Sequence, residues 1–151
     1  MHTKNYLTSG KEIGPDSKIL IMLHGRGASA NDIVGLSSYL EVKDYGIIAP
    51  EATNHTWYPY SFMAPVTANE PWLSSALDNL SSIVDDLVGK GIQTSSIYFL
   101  GFSQGACLTL EFVSRNARQY GGVIAFTGGL IGERIDTSNY KGSFDGTPVF
   151  I

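Results

Sequence analysis

Two short segments hold residue types that can do chemistry. Gly101-Phe102-Ser103-Gln104-Gly105 fits the pattern G-x-S-x-G and lies between an apolar run, Ser95 to Leu100, and a helical pattern starting at Ala106. Between a strand and a helix, that pattern describes a nucleophile elbow. A serine forced into a sharp, strained turn projects its Oγ above a sheet, and only small residues two before and two after it leave room for the close backbone approach. The helix behind it offers free N–H groups and a positive dipole end to a developing oxyanion. The same residues also read as a plain strand–helix turn with glycine corners and Ser103 as the helix cap.

The second segment is His24-Gly25-Arg26-Gly27, which follows the run Ile19 to Leu23. An oxyanion hole beside such an elbow takes one N–H from the residue after the nucleophile, here Gln104, and one from the loop after an earlier strand. Arg26 is the expected second donor, through its backbone N–H, with glycines on both sides that let the peptide turn. An ordinary strand–helix turn is the competing reading. His24 is expected to orient its own loop through hydrogen bonds and not to act as a base. Between the segments, Trp57, Tyr58, Tyr60, Phe62 and Met63 can line an apolar acyl pocket beside Ser103, with Trp57, Tyr58 and Phe62 taken as substrate-binding. Equally, these aromatics can anchor a long loop. His55 reads as a surface residue, Cys107 as a small buried side chain in the helix behind the elbow, and Thr127-Gly128-Gly129 as a strand end.

The elements that position these residues follow from hydrophobic period. Lys18 to Leu23 is a continuous aliphatic run, as expected of a parallel strand buried on both faces. Asn31-Asp32 can cap a helix carrying Ile33, Leu36 and Leu40 at spacings of three and four. Tyr45 to Pro50 is a second strand. Glu51 to Pro71 holds four prolines counting Pro50 and no sustained period, so it reads as a long loop of the kind that is usually functional. Leu73, Ala76, Leu77, Leu80, Ile83, Val84 and Leu87 define a helix from Trp72 to Val88, ended by Gly89 and Gly91. Further strands are Ser95 to Leu100, Gly122 to Phe126 and one starting at Thr147, with a helix from Ala106 to about Asn116. Alternating strands and helices predict an α/β fold with a mainly parallel sheet and helices on both faces. In such sheets ligands bind beyond the carboxyl ends of the strands. Residues 24–27, 101–105 and 127–129 all fall there.

Composition bounds the function. The chain has 151 residues, 43% hydrophobic and 16% charged, with a net charge of −4, which fits one globular domain and argues against nucleic-acid binding. Its longest strongly apolar run, Ile19 to Leu23, has five residues, where a spanning helix needs about 18 or more. The N-terminus lacks a signal-peptide core, so a cytoplasmic location is the default expectation. One cysteine excludes an intramolecular disulfide and a cysteine-built metal site. Seventeen glycines, against an average near 7%, point to many tight turns.

Taken together, Leu23-His24-Gly25-Arg26-Gly27, the Trp57-Tyr58 loop, Gly101-Phe102-Ser103-Gln104-Gly105 and Thr127-Gly128-Gly129 resemble the phospholipase/carboxylesterase family of α/β-hydrolases, which includes the acyl-protein thioesterases. The resemblance spans the chain. It implies Ser103 as nucleophile, the N–H groups of Arg26 and Gln104 as oxyanion donors, and hydrolysis of short acyl esters or thioesters with no cofactor and no metal. The implied partners are that small-molecule substrate and, at most, a second copy of the chain in a homodimer. Where the thioesterase branch usually reads G-L-G-D, Arg26 and Ala28 depart, which favours a general carboxylesterase over an acyl-protein thioesterase or lysophospholipase. The triad order in α/β-hydrolases is Ser, Asp, His, yet Asp136 and Asp145 follow Ser103 and no histidine does. The expectation is that residues 1–151 are the N-terminal portion of one longer catalytic domain, with the acid and base beyond Ile151. A rival from another class is a non-catalytic binding module that keeps the elbow geometry.

Overall fold

The computed structural model describes residues Met1–Ile151. Six strands, β1 (Tyr6–Gly10), β2 (Lys18–Leu23), β3 (Tyr45–Pro50), β4 (Ile97–Phe102), β5 (Gly122–Phe126) and β6 (Val149–Phe150), form one sheet in the order β1-β3-β2-β4-β5-β6. β1 runs antiparallel to β3, and every other pairing is parallel. The mainly parallel α/β architecture therefore stands as expected from the period alternation. β1 escapes that reading because it is an edge strand with a single half-buried residue, Leu7, and so carries no apolar alternation to detect.

β2 shows why a strand at the centre reads as an unbroken apolar run. Ile19, Ile21 and Leu23 enter the larger core together with the helices α2 (Trp72–Gly89) and α3 (Gln104–Arg115). Leu20 and Met22 point the other way, into a smaller core with Ala30 and Ile33 of α1 (Ala30–Gly35). Alternate side chains thus fill opposite faces, both covered by helix.

The helix after β2 is shorter than its spacing predicts and starts earlier. Ser29, not Asn31 or Asp32, is the N-cap: its Oγ accepts from Asp32 N–H at 3.3 Å while Asp32 Oδ2 accepts from Ser29 N–H at 2.8 Å, a capping box. After Gly35 the chain tightens into a 3₁₀ turn over Leu36–Tyr39, where Ser37 and Ser38 interrupt good helix formers. Leu36 and Leu40 still pack on the smaller core, so the apolar face is as predicted and the hydrogen-bonding pattern is not.

α2 follows its periodicity closely. All seven of the predicted apolar positions are buried, each contributing about 1.5–3 kcal/mol for a full-sized aliphatic side chain. Its end is a Schellman motif: Gly91, at φ 89°, donates to Val88 O at 2.9 Å and Ile92 N–H to Leu87 O at 3.1 Å. α3 is buried along ten consecutive residues, Gln104 to Val113, because it lies between the sheet and α2. No helix is long and apolar enough to cross a membrane.

Candidate active site

β4 delivers the chain to Phe102 and α3 begins at Gln104, which leaves Ser103 alone at the corner with φ 53° and ψ −116°. A side chain at positive φ costs about 1–3 kcal/mol and persists only where the surroundings impose it. Three features impose it. Ser103 N–H donates to Phe126 O at the end of β5 at 2.9 Å, and Cys107 N–H donates to Ser103 O at 3.1 Å. A Cβ on Gly101 would collide with Gly105 O and lie 2.5 Å from Thr109 Oγ1, and one on Gly105 would collide with Leu23 O and lie 2.6 Å from His24 O. Both glycines are required by close backbone approach. Ser103 is exposed, and its Oγ caps no backbone N–H of α3. The cap reading of Ser103 does not describe this turn.

The three glycine-bearing segments meet at this edge. A Cβ on Gly25 would lie 3.5 Å from Ser103 Cβ, and one on Gly128 2.6 Å from Ala106 Cβ. In residues 24–28, Gly27 N–H donates to His55 O at 2.7 Å and Ala28 N–H to Gly25 O at 3.2 Å, while Arg26 N–H has no acceptor within the chain. The N–H of Gln104 opens a helix and has no intrahelical acceptor either. Arg26 also uses its side chain: Nη1 donates to Pro59 O and Nη2 to Tyr60 O, both at 2.8 Å.

His24 is wholly buried. Its Nε2 accepts from Ala52 N–H at 3.1 Å, which puts the ring proton on Nδ1, where it donates to Gly25 O at 2.7 Å. Burial holds its pKa below 6.5, with the Gly25 hydrogen bond and Glu51 opposing. His2 is lowered for the same first reason. In the unfolded chain both titrate near 6.5, so below that pH the unfolded state binds protons that the folded state refuses. Stability is complete above about pH 6.5 and falls as the pH drops below it. Urea midpoints measured from pH 8 to 5 should decline across that range, with a shallower decline in His24→Asn; a flat profile in the wild-type chain contradicts a neutral His24.

The aromatic loop divides. Tyr58 and Phe62, with Arg26, Tyr60, Ser61, Ser103, Gln104, Cys107 and Thr127, line a cavity of about 300 Å³ over the elbow. Burial, with Cys107 beside it, pushes the Tyr58 hydroxyl pKa up. Trp57, expected to bind substrate, is not among the lining residues. It is wholly buried behind the cavity, where Nε1 donates to His24 O at 2.9 Å and the ring packs 5.0 Å from the His24 ring and 5.5 Å from that of His2. An indole that satisfies its single donor on a buried carbonyl is an anchor. Met63 is exposed and stands outside the cavity. His55 is exposed, with Nδ1 3.1 Å from both Ala28 O and Glu51 Oε1.

Sequence reasoning missed Glu111, a wholly buried carboxylate on α3. It accepts from Ile131 N–H at 2.9 Å, Arg115 Nε at 2.7 Å and the Tyr140 hydroxyl at 3.1 Å, and thereby holds the segment after β5. Burial first, then Glu111, raises the Tyr140 pKa to about 12. It missed the side chain of Gln104 as well. Gln104 Oε1 accepts from Trp57 N–H at 2.9 Å and Nε2 donates to Tyr58 O at 2.8 Å. Only the Glu111–Arg115 pair, four positions apart, is local; the other partners of Glu111 lie 20 and 29 positions away and those of Gln104 46 and 47, so the roles of both residues have no signal in the local pattern.

Known proteins resemble this chain in sequence and fold. The model of the phospholipase/carboxylesterase family matches residues 9–150. The crystal structure of a phospholipase/carboxylesterase from Dyadobacter fermentans is 54% identical and superposes with a TM-score of 0.96, covering 99% of this chain and 72% of that one. Acyl-protein thioesterase 1 of Saccharomyces cerevisiae is 27% identical over 97% of this chain and 73% of its own length. An Arabidopsis thaliana protein described as "Probable carboxylesterase SOBER1-like" is 29% identical over 70% of this chain and 40% of its own length. The chain spans roughly half the length of several such curated relatives, at 40%, 51% and 48%. With nearly every residue from β1 to β6 inside the family match and the fold shared with a relative of 54% identity, the chain belongs to the phospholipase/carboxylesterase family of α/β-hydrolases.

Proposed function

We propose that this chain carries the nucleophile, the oxyanion hole and the acyl pocket of a serine carboxylesterase that hydrolyses short acyl esters or thioesters through an acyl-enzyme on Ser103. The observation that carries this reading is the backbone of Ser103, at φ 53° and ψ −116°, exposed and with no capping role at the start of α3. Such strain is retained where it places a reacting atom.

Ser103 Oγ attacks the carbonyl carbon as its proton passes to a general base, and the carbonyl oxygen becomes an oxyanion between the N–H groups of Arg26 and Gln104. The C–O or C–S bond then breaks, the proton goes to the leaving alkoxide or thiolate, and an acyl-enzyme remains. Water repeats the sequence in place of the alcohol and frees the acid. His2, His24 and His55 all hydrogen-bond elsewhere, so the reading assigns the base to none of them. Tyr58 and Phe62 wall the acyl site, and a cavity of about 300 Å³ suits an acyl group of a few carbons. The reaction requires no cofactor.

A fluorophosphonate probe tests the reading directly. The full-length protein should be labelled in stoichiometric amount, with the adduct mass on the peptide that contains Ser103. An unlabelled protein would instead be the non-catalytic binding module, and the assignment would fall.

A further inference from the structure

We infer that the side chains of Arg26 and Gln104 are positioning residues, which hold residues 55–60 and through them set the two backbone N–H groups of the oxyanion hole. The inference rests on the proposed function and names a role for the side chains of residues whose backbones that function uses.

The two donor residues come from different parts of the chain, one after β2 and one at the start of α3. Each sends its side chain to the same short segment. Arg26 grips the carbonyls of Pro59 and Tyr60 with two nitrogens. Gln104, buried beside the serine, spends both ends of its amide on that segment, accepting from Trp57 N–H and donating to Tyr58 O. Two further bonds lock the intervening loop: Gly27 N–H to His55 O at 2.7 Å and Trp57 Nε1 to His24 O at 2.9 Å. Residues 55–60 therefore form a bridge between the loop after β2 and the elbow.

A surface guanidinium could instead lie free in water, and a glutamine after the serine needs only its backbone for catalysis. Here both are bound at planar, paired contacts, which restrict rotation of the attached peptide more than a single bond does. Because Tyr58 lies on the bridge and lines the cavity, the wall that meets the acyl group and the donors that meet the oxyanion are parts of one rigid assembly. Movement of the bridge by about an ångström is expected to lower the rate by about 100-fold.

The test compares Gln104→Glu and Arg26→Lys in the full-length protein. Gln104→Glu keeps the acceptor for Trp57 N–H and sets a carboxylate oxygen against Tyr58 O; Arg26→Lys removes one of the two paired contacts at an exposed position and should fold normally. The measurements are kcat and KM with p-nitrophenyl butyrate, the Ki of a trifluoromethyl ketone with the same acyl chain, and Tm. The expected result is a fall in kcat of about 10- to 100-fold, with Ki rising by the same factor and KM changing little. A Ki that stays at the wild-type value, whether Tm falls or not, overturns the positioning role, and so does a rise confined to KM. Wild-type protein with no turnover that depends on Ser103 overturns the proposed function together with it.

Discussion

Ser103→Ala in the full-length protein is expected to lower kcat for p-nitrophenyl butyrate by at least about 10⁴-fold while leaving the fold intact. Loss of a serine nucleophile removes the covalent route entirely, and what remains over water comes from the oxyanion hole and binding alone. Stability should hardly move. Ser103 Oγ makes no capping bond, and the bonds that fix the turn are those of its backbone N–H and C=O, which alanine keeps. Alanine also keeps the cost of positive φ. Ser103→Gly should therefore be equally inactive and somewhat more stable, since glycine adopts φ 53° without strain. Esterase assays beside urea unfolding separate the two effects, and activity above a tenth of wild type in Ser103→Ala would remove Ser103 from the mechanism.

Gly105→Ala has the second largest expected effect, and it acts through packing. The added methyl would meet Leu23 O and His24 O, which are backbone atoms at the end of a central strand and cannot rotate away. α3 must shift, and overpacking of this kind costs about 1–3 kcal/mol or more. Activity should fall too, because the same shift carries the N–H of Gln104 away from the oxyanion. Gly89→Ala is the control: nothing lies within 4 Å of its added methyl at the end of α2, and alanine in a helix gains about 0.5–1 kcal/mol over glycine. Opposite signs for the same chemical change, read by urea midpoint, are the predicted outcome. Equal signs would refute the close approach of α3 to β2.

The histidine near the site illustrates how a residue's type suggests one role and its surroundings assign another. His24 follows a central strand and lies in the loop that supplies Arg26, yet its two ring nitrogens are consumed by Ala52 N–H and Gly25 O. A neutral, buried imidazole with both nitrogens bonded holds its loop in place. In the proposed function it is the loop that acts, through the free backbone N–H of Arg26.

Sequence by itself determined what depends on near neighbours. The apolar runs of β2 and β4 announce strands buried on both faces, the stripe from Leu73 to Leu87 announces α2, and the glycines at 101 and 105 announce the sharp corner at Ser103. Each is a local property, set by side-chain period or by a steric limit within a few residues. Tertiary structure alone decided the rest. β1 joins the sheet as an antiparallel edge through backbone bonds that carry no side-chain pattern. Trp57 turns inward and Tyr58 lines the cavity, although the two are adjacent aromatics. Gln104 reaches a partner 47 residues away and Arg26 partners 33 and 34 away. Hydrogen bonds at those separations exist only once the sheet has brought distant segments to one edge, so no spacing in the chain can announce them.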